Sequence, residues 1–256
     1  MYALSLILLK GERKKLFFEN LWKRFARAFI EQNRWQMYLE GLGNTLLIAL
    51  IATVIGTTIG VIFAMTKYIN RKTGKLKILS KIADVYITII RGTPVVLQLM
   101  ILYFIVFSGW DNGIMIGAIT FGINSGAYVA EIARAGFESV DDGQMEAGRS
   151  LGMSTAQTMW HIIIPQAVRN CLPPLFNEFI TLVKETAIVG YVGIMDLGKI
   201  PGLIQSRTFD YLFPLLIAAI LYLAVVMVLT KILHILEKRF SKTDRDRGGV
   251  KNGKHK

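Results

Sequence analysis

Apolar residues run along this chain in stretches too long for the core of a small soluble domain. Five mainly apolar segments, about 44–66, 91–107, 114–133, 173–191 and 211–236, are close to the roughly 20 residues a helix needs to cross a bilayer. They predict an all-α integral membrane protein with five spans. The first span carries Gly56 and Gly60 in small-xxx-small spacing, which permits close helix contact. An amphipathic lead-in from about Ile78 precedes the second span, which enters the apolar layer at "RGTP" (residues 91–94). The fourth opens on "LPP", where Pro173 and Pro174 suit a first helical turn whose N–H groups lack partners anyway. Ahead of the spans, Phe17, Leu21, Phe25 and Phe29 recur four apart, with Lys23, Arg24 and Arg27 on other faces. That pattern predicts a helix that lies in the membrane interface or packs on the bundle. The organisation is therefore an N-terminal segment (1–43), a membrane domain (44–236) and a basic tail (237–256) expected to be disordered.

Composition agrees with this pattern. Of 256 residues, 53% are hydrophobic and only 19% charged, against about a quarter charged in soluble domains. The net charge of +12 adds orientation. Six Lys/Arg lie between Lys67 and Lys81, three in the excursion 134–170 and eight from Lys238 onward, whereas the linkers after spans 2 and 4 hold none and two. Basic residues gather on cytoplasmic flanks, so the excursion and the tail are expected inside, and five crossings give an N-out, C-in topology. The first 43 residues hold eight Lys/Arg, of which only Arg24, Arg27 and Arg34 are near enough to span 1 to count. The same distribution points to anionic lipid headgroups and away from nucleic acid. Cys171 is the single cysteine, which excludes an internal disulfide, and His161, His234 and His255 show no metal-ligand spacing. The start "MYALSLILLKGERKK" lacks the order of charge, apolar run and cleavage site that marks a signal peptide.

The excursion carries the clearest local signals. Ser154 and Gln157 stand at capping-box spacing, and Ala156, Met159, Trp160 and Ile163 fall on one apolar helical stripe. Gln144–Leu151 suits a short helix, Gly152 can supply the positive φ of a tight reversal, and Pro165 stops the pattern. A helical hairpin follows, with Glu146 placed to pair with Arg149 at i+3. On these residues alone it is equally a folded loop. Within the spans, Glu178, Thr181 and Glu185 share one face beside Lys184, and Asn124, Tyr128 and Glu131 share another, with Arg134 beyond. Ionisable groups at membrane depth face a pathway or the bundle interior, so these either line a solute route or pair to hold the helices. An amino acid carries both an ammonium and a carboxylate, and a route for it needs groups of both signs.

The excursion resembles the "EAA" signature of ATP-binding-cassette importer permeases, EAA-x3-G-x9-I-x-LP. Here Glu146, Ala147, Gly148, Gly152, Ile162, Ile164 and Pro165 keep every spacing, with Gly148 in place of the second Ala and Ile164 in place of Leu. "YLEGLGNTLLIAL", "RGTPVVLQLMILYF", "AYVAEIARAGFESV", "GQMEAG" and "LPPLFNEFITLVKETAIV" extend the likeness to the polar-amino-acid branch of that family, over about residues 38–236. The resemblance implies the type I (MetI-like) importer fold in a bacterial cell membrane, with Glu146, Ala147, Gly148, Leu151 and Gly152 docking on a cytosolic ATPase. It implies a second permease, identical or homologous, and an external solute-binding protein. ATP and Mg belong to the partner ATPase, in line with the lack of a G-x-x-x-x-G-K-[ST] loop here. The chain is thus expected to be a non-catalytic subunit with no cofactor of its own. Another small solute, such as methionine or a phosphonate, is the nearer alternative, and a membrane channel or enzyme the farther one.

Overall fold

The computed structural model describes residues 2–247, with side chains described for 14–238. Every regular element in that range is helical: α1 (Tyr2–Phe29), α2 (Arg34–Thr73), α3 (Lys77–Gly92), α4 (Val95–Ile101), α5 (Gly113–Glu138), α6 (Gly143–Ser150), α7 (Thr155–Thr158), α8 (Ile164–Glu185), α9 (Ile200–Thr208) and α10 (Leu212–Arg247). By length and composition, Glu31–Thr73, Gly113–Glu138 and Leu212–Lys238 can each cross a membrane, and the bent pair Lys77–Gly92 with Val95–Val106 would be a fourth span.

The bend of 103° falls at the "RGTP" stretch. Pro94 has no N–H to donate and excludes the helical region for the residue before it, so Thr93 is extended (φ −122°, ψ 143°) and α4 restarts after Pro94. Two other expectations about helix ends are corrected. Pro173 and Pro174 lie inside α8, and it is Pro165 that occupies its first turn; packing along α5 keeps α8 continuous through the proline pair. The stretch 237–247, expected to be disordered, continues α10, since no Gly or Pro breaks the chain between Pro214 and Gly248. The rest of the tail, 248–256, lies outside the described residues.

The chain forms two compact units. One joins the chain up to Leu46 with Ala187–Ala224, the other Leu47–Thr186 with the chain from Val225. The core of the first gathers Ala28, Tyr38, Leu197, Ile200, Ile204, Ile217 and Ala218, with Phe25 and Phe29 packed on it. Within it the Tyr38 hydroxyl donates to the Pro214 carbonyl (3.5 Å), while Thr45 accepts from the Leu197 N–H (3.1 Å) and the adjacent Asp196 accepts from Tyr222 (3.3 Å), so α2 and α10 run parallel. The last turns of α1 pack on this core while Leu16, Phe17, Phe18 and Trp22 point outward. The packing reading of that helix therefore holds for its last turns.

In the second unit α2 and α5 approach at backbone distance. A Cβ on Gly60 would stand 2.5 Å from Val129, and one on Gly122 2.7 Å from Ile55. Residue numbers rise together across this contact, so α2 and α5 are parallel. α8 runs the other way along α5: Glu178 meets Ser125 at one end, and the Cys171 thiol lies 3.7 Å from the Ile132 carbonyl at the other. Cys171 is buried there among Ala133, Phe137, Ile163 and Ala167.

Candidate functional site

The 134–170 excursion folds as the expected hairpin. α6 ends at Ser150 with Leu151 as its C-cap, and Gly152 takes φ +80°, a region that L side chains adopt rarely. The capping box is complete: the Gln157 N–H donates to Ser154 Oγ (3.2 Å) and the Ser154 N–H donates to Gln157 Oε1 (2.8 Å). Arg149 donates to the Met153 carbonyl at 2.9 Å, taking up a C-terminal acceptor of the turn in place of Glu146.

After α7 the helix opens into a wide π-turn, Met159–Ile163. The extra residue in that turn shifts the expected stripe. Thr158 and Ile163 are buried, whereas Trp160 is 66% exposed and Ala156 also faces outward. Of the five candidate docking residues, Glu146, Ala147, Leu151 (79% exposed) and Gly152 face solvent. Gly148 faces inward, where a Cβ would stand 2.5 Å from the Thr158 methyl carbon, so it joins the hairpin's two arms. Leu151, Gly152 and Met153 face Gln157 and His161 across an open depression of about 300 Å³.

The intramembrane candidates separate into distinct environments. Glu178 accepts a hydrogen bond from Ser125 Oγ (2.8 Å). One residue earlier on α5, Asn124 is buried and donates to Gln98 Oε1 (3.0 Å). Gln98 Nε2 in turn reaches the carbonyls of Ile90 (2.8 Å) and Thr93 (3.1 Å) and the Thr93 hydroxyl (2.8 Å). It thereby satisfies acceptors released where Pro94 breaks the helix, as membrane depth requires. Thr181 donates back to the Asn177 carbonyl (3.1 Å), Lys184 is exposed and Glu185 is half-buried. Tyr128 sits apart from these, under the Arg91 guanidinium at 5.3 Å. Glu131 pairs with Arg134 (2.7 Å), and Lys67 pairs with Asp84 (2.7 Å), so the pairing role holds for that end of α5.

Sequence reasoning missed Gln98, Ser125 and Asp196. A lone amide four residues past a proline in an apolar run is the signal that marks Gln98. Asp196 is fully buried and accepts from the Gly198 and Lys199 N–H groups (2.9 and 3.0 Å) and from the Tyr222 hydroxyl (3.3 Å). It fixes the turn leading into α9, and its Asp-x-Gly-Lys spacing is that of a side-chain-capped turn.

Parallel apolar helices, a broken helix pair clamped by an amide, and a helical hairpin together describe a polytopic membrane protein. The chain belongs to the family of binding-protein-dependent transport system inner membrane components, whose sequence profile matches residues 56–242. Permease protein GlnP of Rickettsia bellii, assigned provisionally to glutamine transport, is 42% identical over 206 residues, 78% of this chain and 91% of its own length. The arginine transport system permease protein ArtQ of Bacillus subtilis is 37% identical, covering 80% and 93%. A crystal structure of an amino acid ABC transporter with histidines matches with TM-score 0.73 at 40% identity, over 80% of this chain and 94% of that one. An inward-facing MetNI methionine transporter matches at 20% identity with TM-score 0.64, over 81% and 99%, a likeness of fold alone.

Proposed function

We propose that this chain is the permease subunit of an ATP-driven importer that carries a polar amino acid across a bacterial inner membrane. The observation that carries the reading is the hairpin. Its Glu146–Gly152 arm ends in a left-handed glycine and presents Glu146, Ala147 and Leu151 to solvent, on a chain 37–42% identical to permeases of arginine and glutamine systems. In this reading those residues dock on a cytosolic ATPase, which holds ATP and Mg, and the chain itself catalyses nothing. A second permease, identical or homologous, completes the pathway, and an external binding protein delivers the solute.

In this reading the chain crosses five times, with the N-terminus outside as the distribution of Lys and Arg suggests. Because α2 and α5 are parallel, the bent α3–α4 pair between them must return across the membrane once. Within the second unit α8 runs against α5, and within the first α10 runs parallel to α2. α8 is the least apolar of these helices, with Arg169, Glu178, Lys184 and Glu185 along it. In this reading Glu178, Glu185 and Lys184 on α8 supply both charge signs for a zwitterionic solute, and Thr181, with Asn124 and Tyr128 on α5, adds neutral polar groups.

The test is ATP hydrolysis by the reconstituted complex, with its binding protein, against a panel of amino acids together with a phosphonate. Stimulation by one polar amino acid is expected. Stimulation by methionine or phosphonate alone would change the cargo. Solute flux through liposomes holding this chain without an ATPase would overturn the importer reading.

A further inference from the structure

Lys72 Nζ at the end of α2 lies 2.6 Å from Asp142 Oδ1, and Asp142 immediately precedes the hairpin helix α6. One residue back, Arg71 lies 2.6 Å from Glu138 Oε1, whose other oxygen receives Arg134 at 2.7 Å. Beneath this strap is an open cavity of about 540 Å³ lined by Tyr68, Arg71, Lys72, Phe137, Asp141 and Asp142 among others. Side-chain packing does not fill the gap between the end of α2 and the turn that feeds α6, and the ion pairs bridge it. Lys72 also suits its place in the last turn of a helix, where the backbone dipole favours a cation.

The geometry points to Lys72 and Asp142 as positioning residues for energy coupling: their ion pair passes displacement of the docking hairpin directly to α2. The hairpin is joined by backbone only to α5 and α8, which flank it. α2 is distant in sequence and packs on α5 at backbone distance. The Lys72–Asp142 contact gives it a direct tie to the hairpin's base, with Arg71–Glu138 holding the neighbouring turn of α5. An exposed pair of this kind adds little to folding, so its effect belongs to transmission. This rests on the proposed function.

The experiment uses the full complex of permease, ATPase and binding protein in liposomes, and reads solute imported per ATP hydrolysed at about 0.1 M and about 1 M salt, where charges are screened beyond roughly 10 Å and 3 Å. Lys72→Gln should lower the import-to-hydrolysis ratio about two- to fivefold at low salt. High salt should bring the unsubstituted complex towards the same ratio. The exchange of Lys72→Asp with Asp142→Lys should restore it at low salt. A ratio unchanged by Lys72→Gln overturns the assignment, as does a loss of assembled complex that the exchange fails to repair. An unsubstituted complex whose hydrolysis ignores every solute overturns the importer reading itself, a result separate from either.

Discussion

Thr158 occupies the space that any side chain at Gly148 would need. Its methyl carbon, hydroxyl and Cβ would lie 2.5, 2.7 and 3.1 Å from an added Cβ. β-branching leaves Thr158 few rotamers, and its hydroxyl is held by the Ser154 carbonyl at 3.1 Å. The departure from the EAA pattern at Gly148 is therefore matched by a bulky neighbour. Gly148→Ala gains up to about 1 kcal/mol of helix propensity but overpacks the contact by about 1–3 kcal/mol. A net loss is expected, seen as a Tm lower by a few degrees in detergent, with recovery in Gly148→Ala/Thr158→Ala. A single Gly148→Ala variant at least as stable as the parent would contradict this.

Gln98 holds the broken helix pair together. Gln98→Leu frees the half-buried Ile90 carbonyl and the exposed Thr93 carbonyl and deprives buried Asn124 of its acceptor, and an unsatisfied buried group costs about 1–3 kcal/mol. Asn124→Leu frees only the Gln98 oxygen. Thermal unfolding should rank the variants parent, Asn124→Leu, Gln98→Leu in falling order. Equal stability of the two variants would mean that the Gln98–Asn124 bond, and not the clamp on the break, is what matters.

These two sites show what was legible in the chain and what was not. Short-range chemistry was readable: the Ser154–Gln157 box, the reversal at Gly152 and the break at Pro94 each depend on a few adjacent residues with specific geometric needs. The long apolar runs of α2, α5 and α10 were equally plain. What failed depended on partners far along the sequence. Pro173 and Pro174 read as a helix start because an isolated helix would stop there, yet α8 continues through them in contact with α5. The π-turn at 159–163 has no local signature, so an ideal 3.6-residue period misplaced Trp160. Gln98 looked like one polar residue in an apolar span until its partners, 5 to 26 residues away, were brought to it.

Glu185 is half-buried on α8, seven residues beyond Glu178 on the same face. If it meets a solute ammonium, Glu185→Gln removes a charge-assisted contact of about 1.5–3 kcal/mol, and solute-stimulated ATP hydrolysis should need about tenfold more solute or more. Glu178→Gln should act less, since the amide oxygen can still accept from Ser125. Unchanged solute dependence in both variants would assign the two carboxylates to bundle cohesion.

Asp210 tethers the end of α1 to the turn before α10. Arg24 donates to both of its oxygens at 2.8 Å and lies 5.5 Å from the Phe213 ring centre. The hydrogen bond from Arg24 is the main reason the Asp210 carboxyl is held below its ordinary 3.8; slight burial opposes it, and the Leu212 N–H assists. A carboxylate depressed in the folded state stabilises at pH above its unfolded value and loses that contribution as pH falls through the lower folded value. The tether should thus be intact from neutral pH down to about 4 and weaken below it. Trp22 lies on the same helix and is exposed, so a variant keeping only this tryptophan reports on α1 by fluorescence anisotropy. Anisotropy should hold steady to about pH 4 and drop below it. In Asp210→Asn it should be low throughout. A flat profile in both proteins would leave α1 held by Phe25 and Phe29 packing alone.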